Sequence, residues 1–379
     1  MAKSREIPWV IEEQTKVKHQ LLNDYVQVWM LIIFRQQAKL SLKQKVVYID
    51  GFAGPGIYWA DSTRTSSVPG SPIIVAQKAN ECIAHDKSRR VYILGIDSER
   101  VCAESLQNIL KEKNIYQQNW EVVYDTFEVT MEKIFSHLNK TGQNIAPAFI
   151  FIDPFGYSGF SMETLSRILR YPRTELFINL MVYDICRFLM EDHAQGHLRT
   201  LFGTDEYKKG ESLTEDARAS FIMDLYCRQL KAVAKAEFIQ PFRINTPGQG
   251  TRPRFFLIHA SQNIKALKEM KHAMRKSSTQ PFRFEAIGLD PCIQLDLFKP
   301  TGEEQLREKI YSCISNHTKD VISYEEIENL GYQITDGIDQ DIKKALICLE
   351  KTKGLKIHRK TRQRKNTVTV GALIEKPKK

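Results

Sequence analysis

Long apolar runs are missing from this 379-residue sequence. The longest, from Val28 to Phe34, falls far short of the ~20 residues that a membrane-spanning helix requires. Met1 to Val10 also lacks the apolar stretch of a secretory signal, so a cytoplasmic chain with no membrane contact is the expectation. Cysteine is scarce and unpatterned. Cys82, Cys102, Cys186, Cys227, Cys292, Cys313 and Cys348 form no C-x-x-C pair, which argues against a zinc ribbon, an iron–sulfur site or a disulfide framework and predicts reduced, mostly packed thiols. No Walker A lysine motif occurs. His193 and His197 stand four apart beside Asp192, but no Glu follows the first His as in H-E-x-x-H, so no metal is expected.

What is present is an ordinary globular composition, 42% hydrophobic and 26% charged, in a chain long enough to predict two domains. The charge is unevenly placed. Residues 351 to 379 carry eleven Lys or Arg against the single acid Glu375, which accounts for the whole net charge of +10. A basic surplus confined to one end predicts contact with a polyanion; the plainer alternative is a solvated tail.

Hydrophobic periodicity predicts a long amphipathic helix over Thr15 to Leu40, then a short β-branched strand, Val46 to Asp50, running into Gly51-Phe52-Ala53-Gly54-Pro55-Gly56. About fifteen small and polar residues follow as an inserted loop before Gly70-Ser71-Pro72, a helix start. From there helix and strand patterns alternate. Strands are predicted at Val91 to Asp97, Trp120 to Tyr124, Ala148 to Asp153 and Glu175 to Met181, with helices between them. Their nearly all-apolar character is that of strands buried on both faces of an open parallel sheet. A helical insertion occupies about 184 to 236, and Phe238 to Asn245 and Arg254 to Ala260 form a hairpin before a last helix, Lys265 to Lys276. Residues 277 to 302, with Pro281, Pro291 and Pro300, read as a linker. Residues 303 to 379 read as three short helices and a β-hairpin formed by Leu355 to His358 and Thr367 to Val370, a winged helix-turn-helix. Lys356, Arg359, Lys360, Arg362, Arg364 and Lys365 at its wing would clamp phosphates, giving salt-dependent, largely sequence-blind affinity for nucleic acid, DNA or RNA.

The chemistry-bearing residues fall at strand ends. Glycines after the first strand let a ligand approach the backbone at the switch point of an open α/β sheet. This makes Asp50, Phe52, Ala53, Gly54 and Gly56 candidates for a nucleoside cofactor. Asp97, closing the second strand, is suited to ribose hydroxyls, and Asp125, after the third, to an adenine amino group. The fourth strand ends in Phe151-Ile152-Asp153-Pro154-Phe155-Gly156-Tyr157. A related D/N-P-P-Y/F loop grips exocyclic amines in base methyltransferases. Asp153 would hold the amine, Pro154 and Gly156 would shape the loop, and Phe155 or Tyr157 would stack on the base.

Taken together, Asp50 to Tyr58 (D-x-F-A-G-P-G-x-Y), Gly70 to Pro72, Phe151 to Gly156 and Glu175 to Met181 (E-L-x-x-N-x-M) resemble the three-Cys-motif partner (TcmP-like) family of bacteria. The upstream Lys18-His19-Gln20-Leu21-Leu22 and Tyr25 fit it as well, and the likeness spans roughly residues 15 to 276. The resemblance implies a seven-stranded, Rossmann-like α/β methyltransferase sheet binding S-adenosylmethionine. It also implies a separate partner protein whose three cysteines suggest an iron–sulfur site. Asp-Pro-Phe-Gly is similar to the corresponding loop of tRNA guanosine N2-methyltransferases, and departs from D/N-P-P-Y in the second proline and the aromatic position. The expectation is a methyltransferase acting on a base amine of nucleic acid. The alternatives are an inactive methyltransferase-fold adaptor, including one serving phage defence, and a nicotinamide dehydrogenase. Against the last, the turn reads G-x-x-G-x-G and not G-x-G-x-x-G.

Overall fold

The computed structural model describes residues 7–112, 119–245, 253–277, 284–286, 302–360, 364 and 366–377. The chain forms two compact units, Met1–Phe284 and Glu285–Lys379. In chain order the elements of the first are α1 (Glu13–Lys39), β1 (Lys45–Asp50), β2 (Ile57–Trp59), β3 (Ser67–Pro69), α2 (Ser71–His85), β4 (Arg90–Asp97), α3 (Arg100–Glu112), β5 (Trp120–Tyr124), α4 (Phe127–Thr141), β6 (Ala148–Ile152), α5 (Met162–Leu169) and β7 (Thr174–Leu180). Then come α6 (Val182–Phe188), α7 (Asp192–Phe202), a 3-10 turn (Glu206–Ser212), α8 (Glu215–Ala232), β8 (Phe238–Asn245), β9 (Pro253–Ser261), α9 (Ile264–Ser277) and β10 (Phe284–Ala286).

The sheet order is β10-β8-β9-β7-β6-β1-β4-β5. β1 pairs parallel with both β4 and β6, and β9 runs antiparallel between β7 and β8. From β1 the chain steps outward to β4 and β5, then returns across β1 to β6 and β7. Because parallel crossovers are right-handed, that reversal puts helices on both faces and opens a crevice at the C-terminal ends of β1 and β6. β6 and β7 are buried along their whole length, so their apolar sequences AFIFI and TELFINL are what two covered faces demand. The one acid in β7, Glu175, is satisfied inside the core: Tyr25 Oη donates to its Oε2 at 2.5 Å, and His259 Nε2 lies 3.0 Å from the same oxygen.

Two expectations change here. The segment after the glycine turn is no open loop, because β2 and β3 pair as an antiparallel hairpin, from Ile57 opposite Pro69 to Trp59 opposite Ser67. Its base is closed by Gly70 N donating to Gly56 O at 2.8 Å. Residues 9 to 11 join it, with Trp59 N donating to Trp9 O and Ile11 N to Trp59 O. The expected linker contributes a strand, β10, which adds an eighth member at the edge beside β8; the other linker positions from 278 to 283 and 287 to 301, Cys292 among them, lie outside the described residues. Of the remaining cysteines, Cys82, Cys102 and Cys227 are buried. No helix among the described residues is long and apolar enough to cross a membrane.

The second unit comprises α10 (Gly302–Asn316), β11 (Val321–Ser323), α11 (Tyr324–Ile334), α12 (Asp339–Thr352), β12 (Lys356–His358) and β13 (Leu373–Glu375). Its strands form a small antiparallel sheet, β11-β13-β12. Leu306, Ile310, Ile327, Leu346 and Ile374 are among the buried residues of its core. The expected strand at Thr367 to Val370 is displaced: pairing falls on Leu373 to Glu375, since Ile374 is the residue buried between Ile322 and Ile357. Arg359 also departs from its expected role. Its guanidinium makes two hydrogen bonds to the Glu350 carboxylate, at 2.8 and 2.6 Å, and donates from Nε to Thr367 O at 2.8 Å. It therefore braces the turn it was expected to arm. Lys356, Lys360 and Arg364 are exposed, Lys356 with Glu375 3.7 Å away; Arg362 and Lys365 lie outside the described residues.

Candidate functional site

The site is built where β1, β4, β6 and β7 end. After Asp50 the backbone turns sharply while keeping ladder bonds to both neighbours: Gly51 N donates to Phe151 O and Ala53 N to Ile96 O, each at 2.9 Å. Gly54 and Gly56 hold φ of +63° and +85°, the left-handed region that glycine tolerates best. The reasons differ along the turn. A Cβ on Gly51 would meet the Phe127 ring at 2.8 Å and one on Gly56 would meet Leu106 at 2.8 Å, so these two glycines serve packing. At Gly54 the nearest atoms to an added Cβ are the Tyr58 hydroxyl at 3.4 Å and the Trp9 ring at 3.9 Å, so this glycine is not wedged against the helices as the other two are.

Asp97 pins the turn. One of its oxygens accepts from Gly54 N and the other from Glu99 N, both at 2.8 Å. Burial raises its pKa although both of these bonds lower it. Each oxygen keeps a lone pair, so the group that organises the loop can also receive hydroxyl donors. Asp125 N donates to Asp97 O at 3.2 Å, bringing the ends of β4 and β5 together. The Asp125 carboxylate is engaged, accepting from Lys133 Nζ at 2.6 Å and Thr126 N at 2.8 Å, and the Lys133 bond holds its pKa below the ordinary value. Phe52 stacks on Phe127 at 6.2 Å and meets Phe160 edge-on at 6.5 Å.

Asp50 is completely buried and accepts from Tyr48 Oη at 2.8 Å. Burial pushes its carboxyl up to about 7, against the opposing pull of hydrogen bonds from Ser71 and Tyr48. His19, also buried, is drawn down to about 4 by burial and by the neighbouring Lys18 charge, so at neutral pH it is a neutral imidazole. The signs oppose each other. Asp50 stabilises the fold at low pH and loses that contribution as pH rises from the ordinary carboxyl value of 3.8 through about 7. His19 stabilises above the ordinary imidazole value of 6.5 and loses this as pH falls toward 4. Asp50→Asn should therefore melt above the parent protein near pH ~8, by about 2 kcal/mol once the lost charge-assisted bonds are set against the relief of burial. The difference should close near pH ~4, where the parent carboxyl is protonated. Thermal melting across that range checks it; equal melting at both ends would show that Asp50 is not held at a cost.

On the β6 side, the Asp153 carboxylate expected to hold the amine already has partners from this chain. Lys18 Nζ, from α1, donates to both its oxygens at 2.7 and 2.6 Å, and Asn179 Nδ2, from β7, donates to Oδ1 at 2.6 Å. Pro154 is buried and Gly156 adopts φ +109° with open space where a Cβ would stand. Phe155 is 75% exposed, touched edge-on by Trp9 at 5.3 Å. Tyr157 packs instead against Phe188 and His197, while His193 meets Phe188. Trp9, Tyr58 and His19 form an aromatic row leading inward from Phe155. Lys18, His19, Tyr58 and Asn179 stand in the motifs that carry the family resemblance, which gives none of them a role; a lysine and an asparagine separated by about 160 positions announce no contact, and Trp9 gives no signal beyond its aromaticity.

No family profile matches the sequence, and no curated protein matches it. Among solved structures the chain is similar to an O-methyltransferase from Bacillus cereus in complex with SAH, at 11% identity over 66% of this chain and 82% of that one, with a TM-score of 0.33. It is similar to protein LPL1258 from Legionella pneumophila at 12% identity over 70% and 97%, TM-score 0.39, and to an rRNA methylase from Streptococcus thermophilus at 12% over 67% and 99%, TM-score 0.30. At such identities and scores these likenesses carry no weight of their own, and the fold rests on the strand order and registers above.

Proposed function

We propose that this chain is an S-adenosylmethionine-dependent methyltransferase acting on nucleic acid, on an exocyclic amine of a base, together with a three-cysteine partner protein. The observation that carries the reading is the Asp97 carboxylate bonded to Gly54 N where β1 and β4 end, with the Asp153-Pro154-Phe155-Gly156 turn facing it across the switch point, at the end of β6. The residues fit the cofactor. Gly54 has the least crowded Cβ direction of the three glycines of the turn, Asp97 keeps acceptor capacity for a ribose, and Phe52 and Ala53 flank them. Asp125, tied to Lys133, would serve the adenine only by sharing its carboxylate. The bound cofactor supplies an electrophilic methyl group on a sulfonium. This chain's residues then need only hold the acceptor in line and exclude water, which is where most of the acceleration of such a displacement lies.

Nucleic-acid docking is assigned to the second unit, whose three helices and small sheet fit a winged helix-turn-helix, with Lys356, Lys360 and Arg364 available to phosphates. The test is incubation with radiolabelled methyl donor and total nucleic acid of the host, with and without the three-cysteine partner. Asp153→Ala should lower label transfer at least ~100-fold while leaving donor binding intact; undiminished label would remove the acceptor assignment. A second reading, an inactive adaptor that includes a role in phage defence, is favoured by the engagement of both Asp153 oxygens. Calorimetry that detects nucleic acid but no heat with S-adenosylmethionine would select it.

A further inference from the structure

Both Lys18 and Asp153 are nearly out of solvent, their side chains 9% and 16% exposed, and they come from α1 and the end of β6. Burying a lysine for stability alone is a poor bargain, since desolvation offsets most of the attraction and an apolar pair of similar volume often does as well. What a two-pronged contact supplies is orientation. With Lys18 Nζ on both oxygens, rotation of the carboxylate about its last bond is blocked, and the Asn179 bond to Oδ1 marks one edge of its plane. Asn179 is itself 1% exposed and makes a second contact to Met181 Sδ at 3.3 Å, so its amide cannot swing away. The lysine stem is held too, with Nζ 5.7 Å from the centre of the Phe255 ring. Oδ1 therefore receives two donors and Oδ2 only one, leaving Oδ2 with the larger spare acceptor capacity.

We propose that Lys18 is a positioning residue of the methyl-transfer site, fixing Asp153 so that Oδ2 accepts from the acceptor N–H and neutralising the carboxylate so that the site takes a neutral amine in preference to an ammonium ion. The inference rests on the methyltransferase reading. It adds a substrate restriction: a planar, uncharged amine of the kind a nucleobase carries gains a hydrogen bond from Oδ2 without facing an unbalanced charge. A lysine side chain of a protein would bring a second cation beside Lys18 and is disfavoured.

The deciding measurement needs no turnover. In protein labelled with 15N-asparagine, the side-chain amide of Asn179, assigned by its loss in Asn179→Ala, reports the bond to Asp153. In Lys18→Met that signal should shift and lose protection from exchange, and in Lys18→Arg it should stay near its original position. An unmoved signal in a folded Lys18→Met protein overturns the proposal. In the transfer assay Lys18→Met should lower kcat roughly 100-fold with donor affinity by calorimetry unchanged, and Lys18→Arg should recover most of it. Loss of donor binding in step with kcat would reduce Lys18 to a structural part. If Lys18→Met does not fold, Lys18→Met with Asp153→Asn, which removes both charges, should restore the melting temperature without restoring kcat; recovery of both overturns the proposal. A parent protein that transfers no methyl to any acceptor defeats the methyltransferase reading, whereas the amide signal still decides whether Lys18 orders Asp153.

Discussion

Replacing Gly56 by alanine should destabilise the first unit by about 4 kcal/mol, summing a backbone penalty of ~1–2 kcal/mol for a side chain in the left-handed region and ~1–3 kcal/mol for overpacking. The added Cβ would stand 2.8 Å from Leu106 Cδ1 and 3.3 Å from Leu106 Cα. The methyl end can rotate away but the backbone of α3 cannot, so relief requires the turn to leave its place under Asp97. Melting should fall by roughly 10 °C, and donor binding should be lost with it. Gly142→Ala is the control. It has a comparable φ of +64° with nothing within 4 Å of the new atom, so it should pay the backbone penalty alone. If the two variants melt alike, the contact with Leu106 is not what fixes the turn.

Asp97→Ala should weaken S-adenosylmethionine binding by roughly 1,000-fold, about 4 kcal/mol. Two losses combine. The hydroxyl acceptor disappears, and Gly54 N and Glu99 N are both left without their partner, at ~1–3 kcal/mol for each buried donor unless water replaces it. Asp97→Asn keeps one carbonyl acceptor and should fall between. Calorimetry at a fixed pH separates the three proteins. Affinity in Asp97→Ala within a few-fold of the parent would mean that the β4 side of the crevice does not hold the donor.

The sheet could be read from sequence because β6 and β7 are buried on both faces, and continuous apolar runs such as AFIFI leave few other solutions; β4, VYILGI, reads the same way although Tyr92 on it is exposed. The helix start at Gly70-Ser71-Pro72 was legible for a local reason, a β-region residue followed by Pro within the first turn. Where local chemistry and distant pairing disagree, sequence misleads. Thr367 to Val370 is richly β-branched, yet β13 forms six residues later because Gly371, at φ +84°, turns the chain so that Ile374 reaches the core. Ile57-Tyr58-Trp59 is a fair strand, but its partner Ser67-Val68-Pro69 contains a proline and lies across seven residues, six of them polar, so the hairpin passed for a loop. At the site, the acids at strand ends were visible from their positions after apolar runs. Their partners were not. Lys18 meets Asp153 across 135 positions, and nothing in either neighbourhood specifies the other. Arg359 shows the reverse error: a cationic residue in a basic run was credited to a ligand although Glu350, nine positions earlier, holds it.

The β2–β3 hairpin also offers a vantage point on the crevice. Its foot is clamped to the glycine turn through Gly70 N and Gly56 O, while residues 61 to 66 at its far end are exposed. A stiff pair of strands acts as a pointer, so a small displacement of the foot becomes a larger excursion at the tip. A fluorophore carried at Thr63 would sit in water, clear of the donor, and register occupancy of the crevice by the swing of its support.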